Sequence, residues 1–375
     1  MRKLLKRIGL VIVVLGVGAV LAASVVLGRL HQPHKGYDAT EQFVEIPSGA
    51  GSAEIGRRLV DAGVVSNLLV FRAAMWQSGR ARSLKAGEYR FTEAMSAAQV
   101  VDKLARGDVH VRRITFPEGL TILEMAKIYE ARGFGPAADF VKAASDASSI
   151  ADVDPQAPDL EGYLYPETYV IPRGTPAAKL VDLMVGRFRS AYSNDLQAQS
   201  RAHGLTTRQV VTIASLVEKE AAQEQERRLI AAVYRNRLKI GMGLQADPTV
   251  IYALQKAGRY DGNIRKEDLE INSPYNTYKN AGLPPGPIAA PRKASLEAAL
   301  NPANVPYIYF VSRNDGSHVF AKTLAEHNRN VRQFQVLYFR EKKLRDTQRS
   351  GARSEGRGAR SGSGLRTQPS GLRQP

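Results

Sequence analysis

Two glutamates, Glu218 and Glu220, close the segment Val210-Val211-Thr212-Ile213-Ala214-Ser215-Leu216-Val217-Glu218-Lys219-Glu220. At about 100° per residue, Val210, Ile213, Ala214, Val217 and Ala221 form one apolar helix face and Lys219 points away from it. Glu218 falls on one flank, between Val211 and Ala214. Glu220 falls on the other, beside Ile213 and Leu216. A carboxyl held against apolar neighbours loses solvation, and its pKa rises toward the range a general acid needs. The same positions also suit two boundary glutamates whose heads reach water. Periodicity chooses neither between these readings nor between the two residues.

Further candidates lie downstream. Gln245 and Asp247 follow the turn Gly241-Met242-Gly243. Asp247 reads either as a second carboxylate or as the cap of a helix opening at Pro248. Tyr275, Asn276, Thr277 and Tyr278 offer aromatic faces with amide and hydroxyl groups, a combination suited to a sugar and equally to fixing a proline-rich loop. His318 and His327 stand nine apart with no acidic-histidine pattern nearby, which predicts a structural or lining role and no metal site. The chain has no cysteine, so disulfides and thiolate zinc sites are excluded. Gly282 to Gly286 reads as a turn, and no phosphate loop or Ser-His-Asp order stands out. No cofactor is expected.

The elements that must position these residues are helices with a few short strands. Thr207–Ala222 and Glu224–Ile240 read as helices, the second stopped by Gly241. Ala178–Asp195 reads as another. Leu269–Pro291 holds five prolines and reads as a long ordered loop. Ser295 is placed to cap a short helix, and Tyr307–Val311 has strand composition. Upstream, a similarity recurs at an offset of 70 residues. Val44-Glu45-Ile46-Pro47-Ser48-Gly49 matches Ile114-Thr115-Phe116-Pro117-Glu118-Gly119, Glu54-Ile55 matches Glu124-Met125, and Gly63-Val64 matches Gly133-Phe134. Each copy predicts a strand, a turn and an amphipathic helix stopped by Gly. The first continues through a helix at Asn67–Trp76 and a strand at Gly87–Phe91. Without regular βαβ alternation, the class is α+β.

The net charge of +17 is concentrated at the ends. Residues 1–35 and 341–375 contribute +6 each, leaving +5 for the remainder, an ordinary surface that argues against nucleic-acid binding. Near the start, Ile8–Gly28 is a run of 21 uncharged residues preceded by Arg2, Lys3, Lys6 and Arg7. At about 1.5 Å per residue it is long enough to cross a ~30 Å hydrocarbon core, and the preceding charges would hold the N-terminus in the cytoplasm. A signal peptide is the competing reading, but Val25-Val26-Leu27 carry the run past the small residues Ala22-Ala23-Ser24. Residues 29–40 read as a linker. The Gly/Ser/Arg tail from about Thr347 lacks the apolar content to offset the entropy of ordering.

The string Ala214-Ser215-Leu216-Val217-Glu218-Lys219-Glu220 closely resembles the signature helix of the YceG-like (MltG) family of endolytic murein transglycosylases. Three further stretches follow in that family's order: Leu244 to Tyr252; Ser273 to Tyr278 with Gly282 to Ile288; and His318-Val319-Phe320 with Glu326-His327-Asn328. Leu160-Glu161-Gly162-Tyr163-Leu164-Tyr165-Pro166-Glu167-Thr168-Tyr169 is also similar to it. The resemblance covers about residues 5–335.

It implies non-hydrolytic cleavage between N-acetylmuramic acid and N-acetylglucosamine in nascent peptidoglycan strands, leaving 1,6-anhydro ends. It places the catalytic acid/base on Glu218. Gln245, Asp247, Tyr275, Asn276, Thr277 and Tyr278 become substrate-binding candidates, with Glu220 and His318 in support. The implied architecture is a cytoplasmic stub at 1–7, a transmembrane helix at 8–28, a small LysM-like subdomain at 41–112, a mixed helix and short-strand catalytic domain at 113–340, and a disordered basic tail at 341–375. That arrangement sets the enzyme in the inner membrane with its catalytic domain in the periplasm and peptidoglycan synthases as partners. Two rivals stay open: a lysozyme-type hydrolase using Glu218 with Asp247, and a non-catalytic, membrane-anchored glycan-binding protein.

Overall fold

The computed structural model describes residues 15–18, 24–25, 27–80, 82–343 and 345. The run Ile8–Gly28 and the tail from Thr347 therefore lie largely or wholly outside the described residues. Within the run, Leu15–Gly18, Ser24, Val25, Leu27 and Gly28 are helical. No helix among the described residues is long and apolar enough to cross a membrane.

The fold is α+β, with helices and three separate two-stranded antiparallel sheets. The chain divides into two compact units. One comprises residues 1–116, 123–143 and 167–182, and the other residues 117–122, 144–166 and 183–375.

The first unit opens with β1 (Gln42–Ile46), α1 (Ser52–Asp61), α2 (Leu68–Ser78) and β2 (Gly87–Phe91), with Gln42 opposite Phe91 and Ile46 opposite Gly87. Asn67 caps α2 through its side chain, and Gly79 ends it in the left-handed region. Next comes α3 (Ala97–Arg106), entered through a Ser96/Gln99 capping box. β3 (Val111–Thr115) then leads into α4 (Ile122–Ala131) and α5 (Ala137–Ala144), and β4 (Thr168–Pro172) returns to pair with β3.

The offset of 70 residues is thus a repeated strand-helix-helix-strand order. The backbone repeats with it. Gly63 N–H bonds to the Val60 carbonyl as Gly133 does to Glu130, and Val64 to Leu59 as Phe134 does to Tyr129. Both glycines sit near φ +70°, where a Cβ would be strained. β3 and β4, with most of α4 and α5, group with the first unit, and β3 pairs with the distant β4.

Residues 29–40, expected as a linker, are partly docked. Leu30 is fully buried in the core cluster that also holds Val44, Val70, Phe71, Tyr89 and Val100. Its carbonyl accepts from Ala98 N–H, and His34 pairs with Met95.

α6 (Ala177–Ala191) follows β4. The second unit then runs through α7 (Asn194–Ala202), α8 (Thr207–Glu220), α9 (Arg227–Lys239), α10 (Asp247–Lys256), α11 (Lys293–Leu300), β5 (Tyr309–Ser312), β6 (His318–Ala321) and α12 (Leu324–Val331). α8 is its axis, packed against α7, α9, α10 and α11. Every residue from Val210 to Glu218 is buried. The sequence predicts a single apolar face. The helix is instead wrapped on all sides, and its polar positions Thr212, Ser215 and Glu218 must find internal partners. Ser215 does so by donating to the Thr212 carbonyl and accepting from Ile288 N–H.

Candidate active site

The wrapping of α8 separates its two glutamates. The Glu218 carboxylate is enclosed, and four donors from two other helices and their termini address its oxygens. Oε1 accepts from Arg227 Nη2 at 3.3 Å and Arg292 Nε at 3.0 Å. Oε2 accepts from the Arg292 backbone N–H at 2.9 Å and Ser295 Oγ at 2.8 Å. Arg292 is the N-cap residue of α11, so the carboxylate also neutralises that helix terminus. Ser295 is not the cap the sequence suggests. It lies one turn in, and its hydroxyl serves Glu218. These four bonds tie the end of α8 to α9 and α11 through the Glu218 carboxylate.

Glu220 sits in a different field. Tyr234, fully buried on α9, donates its hydroxyl to Glu220 Oε1 at 3.3 Å. No arginine among the described residues pairs with it directly. Burial, reinforced by the Asp247 carboxylate, pushes the Glu220 pKa from 4.5 up to about 7, against smaller lowering effects of Tyr234 and Arg237. A carboxyl that holds its proton near neutrality and releases it there suits acid and then base chemistry.

Asp247 does not cap its helix with its side chain. It is itself the first residue of α10, and its Oδ1 accepts from Tyr278 Oη at 2.5 Å. Burial and that bond to Asp247 hold the Tyr278 hydroxyl well above its usual range, so it stays a donor. The residue is 37% exposed. Gln245 is exposed and carries φ +46°, a left-handed conformation unusual for a residue with a Cβ. Its neighbours hold it there. Arg237 Nη1 donates to the Leu244 carbonyl at 2.5 Å, Gln245 N–H donates to the Thr277 carbonyl, and Ala246 N–H donates to Thr277 Oγ1.

Asn276 and Thr277 fasten the loop that carries them. Both are buried. Asn276 donates to the carbonyls of Leu269 and Ile271 and accepts from Tyr278 N–H. Thr277 shares its hydroxyl with Thr249 at 2.9 Å. Tyr275 packs on Tyr252, ring centroids 4.8 Å apart, with the Lys256 ammonium over both rings. His318 is oriented by Glu226, whose two oxygens accept from its backbone N–H at 2.9 Å and meet its Nδ1 at 2.7 Å. His327 stacks on Tyr309 at 5.0 Å, and burial with the nearby Arg237 charge lowers its pKa. No cluster that could hold a metal ion occurs among the described residues.

Tyr234, Arg237, Arg227 and Arg292 escape the sequence reading, as does Glu161. The signal for two of them is present: Arg227 and Arg237 fall on the buried stripe of α9 with Ile230, Ala231 and Tyr234. An arginine on an apolar stripe needs an internal acceptor. Glu161 is buried and accepts from Ile122 N–H and Tyr252 Oη. Burial pushes its pKa to about 8.

The profile of the YceG-like family matches residues 44–333, spanning both units. This chain belongs to the YceG-like family. Among relatives, it is 33% identical over 317 residues to an endolytic murein transglycosylase of Bacillus subtilis (strain 168), covering 80% of this chain and 86% of that one. An endolytic murein transglycosylase of Streptococcus pneumoniae (serotype 2, strain D39) is 31% identical over 318 residues. There the match takes in 77% of this chain but only 57% of the longer streptococcal protein. A crystal structure of a YceG-like protein from Listeria monocytogenes superposes with a TM-score of 0.53 at 34% identity, covering 77% of this chain and 98% of that one.

Proposed function

We propose that this YceG-like protein is an endolytic murein transglycosylase and that Glu220 is its catalytic acid/base. The observation that carries the assignment is the contrast on α8: Glu218 accepts from four donors, while half-buried Glu220 accepts from Tyr234 alone and its pKa is pushed up to about 7 by burial and Asp247. Protonated Glu220 donates to the glycosidic oxygen between N-acetylmuramic acid and N-acetylglucosamine as that bond breaks. The resulting carboxylate takes the proton from the C6 hydroxyl of the muramoyl sugar, whose oxygen bonds to C1 and leaves a 1,6-anhydro end. One carboxyl serves both steps because the nucleophile is internal.

The positive charge that develops at C1 is offset by Asp247, whose carboxylate raises the Glu220 pKa and is held by Tyr278. Gln245, two residues before Asp247, and Tyr278, bonded to it, supply substrate contacts, and Tyr275 supplies an aromatic face. Asn276 and Thr277 fix the loop that carries them. His318, fixed by Glu226, is a positioning candidate.

We assign the run Ile8–Gly28 the role of a single inner-membrane anchor, with residues 1–7 cytoplasmic and the rest periplasmic. Its length, its lack of charge and the preceding basic residues support this. The strand-helix-helix-strand order at 42–91 suits a LysM-like subdomain, and synthases that polymerise the strands are the expected partners.

Mass spectrometry of products from uncrosslinked glycan strands tests the reading, with wild type beside Glu220→Gln and Glu218→Gln. The expected result is anhydro ends from wild type, none from Glu220→Gln, and reduced but chemically identical products from whatever Glu218→Gln folds. Hydrated ends would make the protein a hydrolase with Asp247 activating water. Full activity of Glu220→Gln would return the acid role to Glu218.

A further inference from the structure

The outer face of α2 is unusual for a water-facing helix. Its inner residues Val70, Phe71, Ala74 and Met75 are buried in the core that also holds Leu30. On the opposite side, Leu69 is 65% exposed and Trp76, the chain's single tryptophan, is 83% exposed. At about 100° per residue these two and the exposed Arg72 fall within about 60° of one another. Arg72 has no ion-pair partner among the described residues. In sequence, residues 62–87 carry four basic side chains, Arg72, Arg80, Arg82 and Lys85, and no acidic one, with Arg80 paired to Asp102 of α3.

With Ile8–Gly28 read as an anchor, the chain's course brings the first unit to a membrane surface. The apolar run ends at Gly28, and Leu30 is already at the centre of the first unit's core. Two residues reach at most ~7 Å. The polar layer on each side of a bilayer is about 5–8 Å thick, so a unit tethered this tightly sits at the headgroups. α2 is about 16 Å long and turns its Leu69, Arg72 and Trp76 face away from that core. Tryptophan and leucine beside arginine is the composition of a face that settles at the level of the headgroups.

We propose that the Leu69, Arg72 and Trp76 face of α2 docks on an anionic phospholipid bilayer, the two apolar side chains entering the headgroup layer and Arg72 meeting lipid phosphate. This rests on reading Ile8–Gly28 as a membrane anchor. Docking then holds the first unit at a fixed orientation on the membrane surface instead of letting it swing.

The single tryptophan is a built-in probe. The full chain is reconstituted into vesicles of phosphatidylglycerol and phosphatidylcholine, and flotation is measured first. The expected result is flotation, strong quenching of Trp76 by lipids brominated close to the headgroup, and a several-fold loss of acrylamide access. Arg72→Glu alters the face by two charges and should weaken docking by about 25-fold, at about fivefold per charge near an anionic surface. Restored acrylamide access with unchanged flotation would show it. A chain that floats while Trp76 stays open to acrylamide and blind to brominated lipid overturns the proposal and leaves the anchor intact. Protection of Trp76 that appears only when a second protein is added overturns it in favour of a protein partner. Failure to float refutes the anchor, and the docking proposal falls with it.

Discussion

Replacing Asp247 by Asn tests the electrostatic logic of the site most directly. In the folded protein the Glu220 pKa stands at about 7 against an ordinary 4.5. At pH 7 about half of the molecules then carry the acid proton, where an unshifted glutamate would carry it in ~0.3%, a gain of about 150-fold in competent enzyme. Burial is the largest cause and Asp247 the next. Asp247→Asn removes a negative charge without changing the size of the side chain, and its amide oxygen still accepts from Tyr278. The Glu220 pKa must fall. The alkaline limb of the pH profile of kcat/KM, set near pH 7 in wild type, moves to lower pH, and each unit of movement costs tenfold in activity at pH 8. The assay is initial rate of anhydro-end formation from pH 5 to 9, with binding of a non-cleaved strand measured in parallel to separate a lost contact. An alkaline limb that stays in place would refute the coupling. A limb that persists unchanged in residual activity of Glu220→Gln would show that it never belonged to Glu220.

Other outcomes follow from the same contacts. Glu220→Gln should lower turnover by about 100- to 10,000-fold with little change in Tm, as loss of a general acid does. Arg227→Met should destabilise the fold by about 3–5 kcal/mol, seen in chemical denaturation, because it removes a buried partner of Glu218. Asn276→Asp replaces a donor to two carbonyls with an acceptor and should cost about 2–3 kcal/mol while leaving Tyr278 chemically unaltered. Glu161 titrates near 8 in the fold against 4.5 ordinarily. Its raised pKa favours the folded state fully below pH 4.5, and that contribution is lost as pH rises through 8. Glu161→Gln should therefore flatten the fall of Tm between pH 5 and 9, a difference of order 3–5 kcal/mol at the alkaline end.

Local structure was legible wherever neighbouring residues settle it. The strand Gly87–Phe91, the start of α8 behind its Thr206 cap and the stop of α9 at Gly241 all follow from short-range propensity and capping. The repeat at an offset of 70 was visible because each copy needs the same glycines to turn. What the residues along one helix do not reveal is how many neighbours surround it. The apolar stripe of α8 predicts one covered face, and the structure covers them all. That difference encloses Glu218, recruits Arg227, Arg292 and Ser295 from up to 77 residues away, and fills its oxygens. The side-chain role of Asp247 was equally invisible, since its partner Tyr278 lies 31 residues on.

The sequence by itself determined the family, through five strings of residues in order, and the class of chemistry, through a helix that ends in two carboxyls. It could not say how the surroundings of the two carboxyls differ. Protonation depends on desolvation and on charges brought close by long-range packing, and only the tertiary structure places two arginines on Glu218 and an aspartate and a buried tyrosine beside Glu220.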